Sequence, residues 1–249
     1  MKSIISIAFL LQAIINAVNL VTAQFPTDPA FRCRDTGNYI TGSDYSTNLK
    51  TALNAVGNMD KYNGGSFSSS KGEKETAYVM ALCSGVSINW GGNCKDCIYQ
   101  LTTSLAVTCK LQKEAVMWGS NCMLHYSDRK IFGVLDDWVR IFLPDKKGSL
   151  ANKPDQFDKA LSDLMKKLQG LAAKGTDKKS SFGTTVYERR LVYGAMQCTA
   201  DLSKELCTKC LQNIILAHHT CCSGRMAARM LLPNCFFSYS GEHFSKWKS

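Results

Sequence analysis

The sequence predicts an α+β fold made twice over: two tandem disulfide-rich domains, in each of which helices lie beside an antiparallel sheet. Three observations predict it. First, Cys94, Cys97, Cys109 and Cys122 recur as Cys207, Cys210, Cys222 and Cys235, each displaced by 113 residues. Second, each half opens with an apolar stripe at helical spacing and continues into β-like runs. Third, all 12 cysteines follow an N-terminal stretch that reads as an export signal.

The repeat is detailed. Tyr126 and Tyr239 share the offset of 113, and upstream an offset of 115 relates Cys83 to Cys198, Tyr78 to Tyr193, Phe67 to Phe182, and Leu49, Leu53 and Val56 to Leu164, Leu168 and Leu171. The indel falls just after Cys198: ten residues separate Cys83 from Cys94, but only eight separate Cys198 from Cys207.

The elements follow in order. Lys2, the apolar run from Ile4 and the compact residues Val21 and Ala23 predict a signal peptide over 1–23 and a mature start at Gln24. Tyr45, Leu49, Leu53 and Val56 predict the first helix, and Phe157, Leu161, Leu164, Leu168 and Leu171 its counterpart, with Pro154 near its start and Gly175 just past its end. Ser/Gly/Lys loops follow at Gly64–Gly72 and Gly175–Gly183. Strand-like runs Thr76–Leu82 and Thr184–Met196 lead into cysteines. Second helices are predicted over Lys95–Val107 and Lys204–Ala217, and two apolar runs close each copy, Ala115–Trp118 with Met123–Tyr126 and Met226–Leu232 with Phe236–Tyr239. The predicted domains are 24–134 and 148–249, joined by a linker over 135–147 that contains Pro144.

Charge and hydropathy narrow the partners. Mean hydropathy is −0.13, and no segment after the leader approaches the roughly 18 apolar residues of a spanning helix, so no membrane span is expected. Residues 24–135 carry 11 basic and 9 acidic groups, whereas residues 136–249 carry 18 and 11. Export argues against nucleic acid as the partner of this basic surface and favours acidic wall polysaccharide or an anionic membrane surface; a simple solubilising charge is the alternative.

Cys94-x-x-Cys97 and Cys207-x-x-Cys210 have the spacing of zinc ligands or of a redox dithiol, and His218 and His219 stand beside Cys221 and Cys222. An even set of cysteines in an exported chain points instead to structural bridges, so no metal and no cofactor is expected. Gly-x-Ser-x-Gly, His-Glu-x-x-His and phosphate-loop patterns are absent from the sequence, and no nucleophile is paired with a base in both copies. No catalytic residue, and hence no enzyme, is expected.

The run Cys198-x8-Cys207-x2-Cys210-x11-Cys222-x12-Cys235, with the block from Tyr193 to Leu211, resembles the plant ginkbilobin-homologous or stress-antifungal domain. That domain occurs in tandem in cysteine-rich repeat secretory proteins, cysteine-rich receptor-like kinases and plasmodesmata-located proteins, and the match covers nearly all of 27–244. The resemblance implies two helices packed on a five-stranded antiparallel sheet in each copy. It implies bridges Cys33–Cys109, Cys83–Cys94 and Cys97–Cys122 in the first copy, and Cys198–Cys207 and Cys210–Cys235 in the second. Gly148 aligns with Cys33, which leaves Cys222 without the family's partner; a vicinal Cys221–Cys222 bridge is one solution and an intermolecular bridge the other. The resemblance also implies an apoplastic, non-enzymatic binding role in defence or stress, toward a cell-wall or microbial glycan or, alternatively, a related receptor-kinase ectodomain.

In ginkbilobin a mannose site uses an Asn after the first cysteine, an Arg seven residues after the fifth and a Glu five residues after the sixth. The first copy has Arg34, Val116 and Ser127 there, and the second has Ser149, Arg229 and Ser240. Arg229 is therefore the candidate ligand contact, its other reading being a stem packed along the sheet with its head in solvent. A mannose site of that type is not expected.

Overall fold

Each copy begins with an edge strand that no hydrophobic alternation announces. In the computed structural model, which describes residues 30–58, 66–85, 94–144, 150–176 and 178–243, the first copy runs β1 (Ala30–Asn38), α1 (Asp44–Gly57), β2 (Ser66–Lys71), β3 (Ala77–Cys83), α2 (Cys94–Thr108), β4 (Gln112–Trp118) and β5 (Cys122–Ser127). The second runs β6 (Ile141–Pro144), α3 (Pro154–Lys174), β7 (Ser180–Tyr187), β8 (Arg190–Cys198), α4 (Lys204–Cys221), β9 (Ala227–Leu231) and β10 (Cys235–Ser240). The expected signal peptide lies outside the described residues, and no described helix is long and apolar enough to cross a membrane.

The strands form two five-stranded antiparallel sheets, ordered β1-β4-β5-β3-β2 and β6-β9-β10-β8-β7. The segment expected to be linker thus supplies a strand: Ile141–Pro144 pairs with β9. The loops expected at Gly64–Gly72 and Gly175–Gly183 contain β2 and the start of β7, and the run Thr184–Met196 is a hairpin turning at Glu188 and Arg189.

Helix ends follow local chemistry. The Ser43 side chain accepts from the Ser46 N–H at 3.3 Å, and Ser203 accepts from the Leu206 N–H at 3.2 Å, each satisfying a donor of the first turn. Pro154 occupies the first turn of α3, where its missing N–H costs nothing. The inner face of each sheet packs on its two helices. Tyr45, Leu49, Ala52 and Val56 of α1 meet Ile98, Leu101 and Leu105 of α2 over Val79, Met117, Leu124 and Tyr126. In the second copy the stripe is Phe157, Leu161, Leu164, Leu168 and Ala172. Leu171, expected within it, is exposed, and Ala172, four residues past Leu168, continues the stripe in its place.

A third core joins the copies. Side chains alternate across each strand, so Met80, Leu82, Val116, Trp118 and Met123 point away from the helices of the first copy. They pack with Ile131 and Val139 of the connector and with Ile141 and Leu231 of the second sheet. Hydrogen bonds stitch the same face: Trp118 Nε1 donates to Leu232 O at 3.3 Å, Gln197 Nε2 donates to Cys83 O at 2.9 Å, and the Gly85 N–H donates to Gln197 Oε1 at 2.8 Å. The outer face of the first sheet therefore packs on the β6, β9 and β10 side of the second, and the connector runs through that core.

Candidate functional site

All twelve cysteines are bridged. Cys33–Cys109 ties β1 to the residue just beyond α2, Cys83–Cys94 ties β3 to the start of α2, and Cys97–Cys122 ties α2 to β5. In the second copy Cys198–Cys207 and Cys210–Cys235 repeat the last two, and Cys221 is joined to Cys222. The two Cys-x-x-Cys pairs thus each send their cysteines to different strands.

The strand register explains the odd bridge. Cys33 lies opposite Ala115, and Pro144 lies opposite Ala228, the counterpart of Ala115 in the repeat. Pro144, rather than Gly148, therefore stands where Cys33 does, and the residue after it is Asp145, outside the described residues. Ser149, taken from the Gly148 alignment, lies there too and is displaced from the sugar position by the same correction.

Arg229 does not send its head to solvent. It points from β9 into the third core, is 7% exposed and donates from Nη2 to Gly119 O of the first copy at 2.6 Å. Ser127 and Ser240 are buried too, and each Oγ accepts from a backbone N–H two residues on, Arg129 at 3.1 Å and Glu242 at 2.9 Å. The mannose positions of this chain are spent on turns and on the joint between copies.

Beside them lies a charged cluster that sequence reasoning missed. Glu114 on β4 is fully buried. Its carboxylate accepts from Arg129 Nε at 3.0 Å and Nη2 at 2.8 Å, and from Arg34 Nη1 at 3.1 Å; His125 Nε2 lies 3.4 Å away. Arg129 Nη2 also donates to Asp136 Oδ2 at 2.6 Å, and the Asp136 N–H donates to Asn234 Oδ1 of the second copy at 2.7 Å. Trp138 lies under the Arg34 guanidinium, 5.1 Å from ring centroid to Cζ. Burial alone would raise the Glu114 carboxyl, but hydrogen bonds and charge from His125 and Arg129 overturn this and hold it at about 2. The Arg129 guanidinium is raised in turn, first by its bond to Glu114.

Glu114, His125 and Asp136 each offer a ligand atom within 4.8 Å of the others, which is a metal-like spacing. Two guanidiniums already occupy the carboxylate oxygens, so the donor set is that of an ion-pair network and does not fit a cation. The signal that could have found it is a Glu and a His inside runs that otherwise read as buried strand. The counterparts of Glu114, His125 and Arg129 in the repeat are Ala227, Ser238 and Glu242, so the network belongs to the first copy alone. It offers solvent the edges of Arg34 and Arg129 beside an indole, and no nucleophile–base pair.

The architecture defines a tandem, disulfide-stapled α+β module. The chain belongs to the salt stress response/antifungal family, whose domain matches it twice, at 32–129 and 145–242. It is 29% identical over 238 residues to the antimicrobial ginkbilobin-2-like protein of Castanea crenata, covering 94% of each chain. It is 29% identical over 245 residues to cysteine-rich repeat secretory protein 1 of Arabidopsis thaliana, covering 96% of this chain and 68% of that one. It is also 30% identical over 223 residues to cysteine-rich receptor-like protein kinase 29 of the same plant, covering 87% of this chain but 32% of the kinase. The chain thus spans about a third of the length of the receptor-like kinases it matches. The tandem DUF26 ectodomain of the Arabidopsis thaliana cysteine-rich receptor-like protein PDLP8 shares the fold, with a TM-score of 0.69 at 20% identity over 86% of this chain and 98% of that one. The relatives are secreted cysteine-rich repeat proteins and receptor-like kinases, with an antimicrobial protein among them.

Proposed function

We propose that this chain is a secreted, non-enzymatic binding module of the apoplast, acting in defence or stress by holding anionic cell-wall or microbial glycan. The observation that carries it is the charge of the second copy, 18 basic against 11 acidic groups over 136–249. Lys166 and Lys167 lie on the exposed side of α3, and Lys178, Arg189 and Arg190 are exposed at the ends of the β7–β8 hairpin. At the positions of Lys166 and Lys167 the first copy has Thr51 and Ala52.

Charge of this kind acts over about 8–10 Å at ordinary salt, so retention weakens as salt rises. The test is retention of the whole mature chain on polygalacturonate and on mannan across a salt series. Replacing Lys166, Lys167 and Lys178 together by Glu should release it from polygalacturonate at markedly lower salt. The same change at Lys50, Lys71 and Lys110 of the first copy should shift release far less, and free mannose should not compete. Equal shifts from the two triple variants would overturn the assignment to the second copy. The similarity to receptor-like kinases favours a second reading, a protein ligand or co-receptor for related ectodomains, which predicts saturable protein affinity with no sugar dependence.

A further inference from the structure

The four sheet edges are not equally protected. β1 is broken by a register shift between Arg34 and Asn38 and carries Arg32, Arg34 and Asp35. β2 ends in Lys71. β6 is four residues long and ends in Pro144. Bulges, charges, proline and short length are the devices that keep a sheet edge from pairing with another chain. β7 has none of them. Its eight residues, Ser-Ser-Phe-Gly-Thr-Thr-Val-Tyr, contain no charge and no proline, and they pair with β8 in unbroken register from Ser180 to Tyr187.

The faces of this strand differ. Inward, the Ser181 hydroxyl donates to Leu168 O at 2.7 Å, Gly183 leaves room for Leu164 and Leu168, and Tyr187 packs on Phe157. Outward, Thr184 is exposed and Val186 is 62% exposed, with Leu191 beside Val186 on β8 at 46%. The first copy has Ser69, Lys71 and Thr76 at these three positions, so the apolar row is particular to the second copy. The hairpin starts against the first copy, where Gly85 abuts Ser180, and ends at a tight turn in which Glu188 and Arg189 both have positive φ.

We infer that β7 is a docking edge for an extended segment of a partner protein, which adds to the second sheet as a sixth strand. Main-chain hydrogen bonds supply the affinity, and Thr184, Val186 and Leu191 select apolar side chains at alternate positions. The ends of the strand choose the partner's charge. Asp177, Lys178 and Lys179 precede it and Glu188, Arg189 and Arg190 follow it, a net charge of +2. Lys179 is buried and donates from Nζ to Gly175 O at 3.0 Å, and Glu188 is engaged by Asn152 Nδ2 at 3.1 Å, so the exposed cations are Lys178 at one end and Arg189 and Arg190 at the other. Antiparallel self-pairing would set two such cationic ends against each other, so a second copy is the wrong occupant and a segment with carboxylates at its ends is the right one.

The inference shares Lys178, Arg189 and Arg190 with the glycan surface but rests on the unprotected strand edge, and it has its own test. The probe is a short synthetic peptide with valine at alternate positions and paired aspartates at each end, labelled for anisotropy and titrated against the whole mature chain. Saturable binding is expected. It should weaken at least tenfold when alternate peptide amides are N-methylated, when the aspartates are replaced by lysines, and in Val186→Lys or Thr184→Lys. Ser69→Lys in the first copy should leave it unchanged. Hydrogen exchange should slow at amides within Ser180–Tyr187 on adding the peptide. Both test positions are exposed, so the variants fold, and loss of polygalacturonate retention in them would point to the glycan surface instead and overturn the assignment. Absence of saturable binding, indifference to N-methylation, or concentration-dependent self-association abolished by Val186→Lys would each overturn it too.

Discussion

In the first copy the edge strand β1 spans nine residues, and Cys33 ties it to Cys109 across a sequence separation of 76. In the second, β6 spans four residues, Pro144 stands in the place of Cys33, and the spare cysteine closes on its neighbour. The same frame is thus held in two ways. A covalent staple fixes the first edge, whereas the second is held by pairing with β9 and by Ile141 in the core shared between the copies. The second copy draws part of its order from the first, and its α3, at 21 residues against 14 for α1, adds helix packing of its own.

The largest effect should come from the shared core. Trp118→Ala removes a buried indole and its bond to Leu232 O, and should cost about 4 kcal/mol. Calorimetry should show the whole chain destabilised, with a single transition in the parent protein. Two resolved transitions in the parent, with only the first moved by the variant, would mean that the second copy needs no help from the first.

Next comes the staple. Replacing Cys33 and Cys109 together by Ala should cost on the order of 4 kcal/mol in denaturant unfolding, the entropy of a long closed loop. Replacing Cys221 and Cys222 together should cost roughly 1 kcal/mol or less, since that bridge closes almost no loop. Equal losses would show that the vicinal bridge constrains more than its two residues.

Acid should distinguish the copies with smaller effects. Glu114 is depressed in the folded state, so its contribution is present above the unfolded value near 4.3 and is lost as pH falls toward about 2. Glu114→Gln should flatten that limb, by about 2 kcal/mol. His218 of the second copy is also lowered, by desolvation first, and its counterpart in the first copy is Leu105. A lowered histidine favours the fold above its unfolded value near 6.5 and ceases to as pH falls below it, so His218→Leu should flatten a milder limb that begins there. Stability measured from pH 7 to pH 3 in both variants separates the two.

The repeat, the helices and the inner strands are legible in the sequence because their signals are local: cysteine spacing, a 3.6-residue stripe, an apolar run. Leu49 and Leu161 declare a buried face without knowledge of what covers it. The edge strands are not legible in this way. Cys33 and Arg34 alternate with nothing apolar, and Ile141–Pro144 reads as linker, because an edge draws its order from the strand beside it. By count Gly148 aligns with Cys33, and only the pairing of Pro144 with Ala228 moves the equivalence. The surroundings of Arg229 are hidden for a related reason. Its position seven residues after Cys222 is visible, but the Gly119 carbonyl that claims it lies 110 residues away.

The connector between the sheets has a consequence for valency. Ile131 and Val139 are buried, and Asp136 is held from both sides, by Arg129 of the first copy and Asn234 of the second. The two copies therefore have no tether to pay out, and the gain that flexible linkage gives to paired binding modules is closed to them. They act as a ruler of fixed span: a polymer or receptor that touches both copies must present its contacts at the spacing and angle the joint dictates, and one that cannot will engage only one of them.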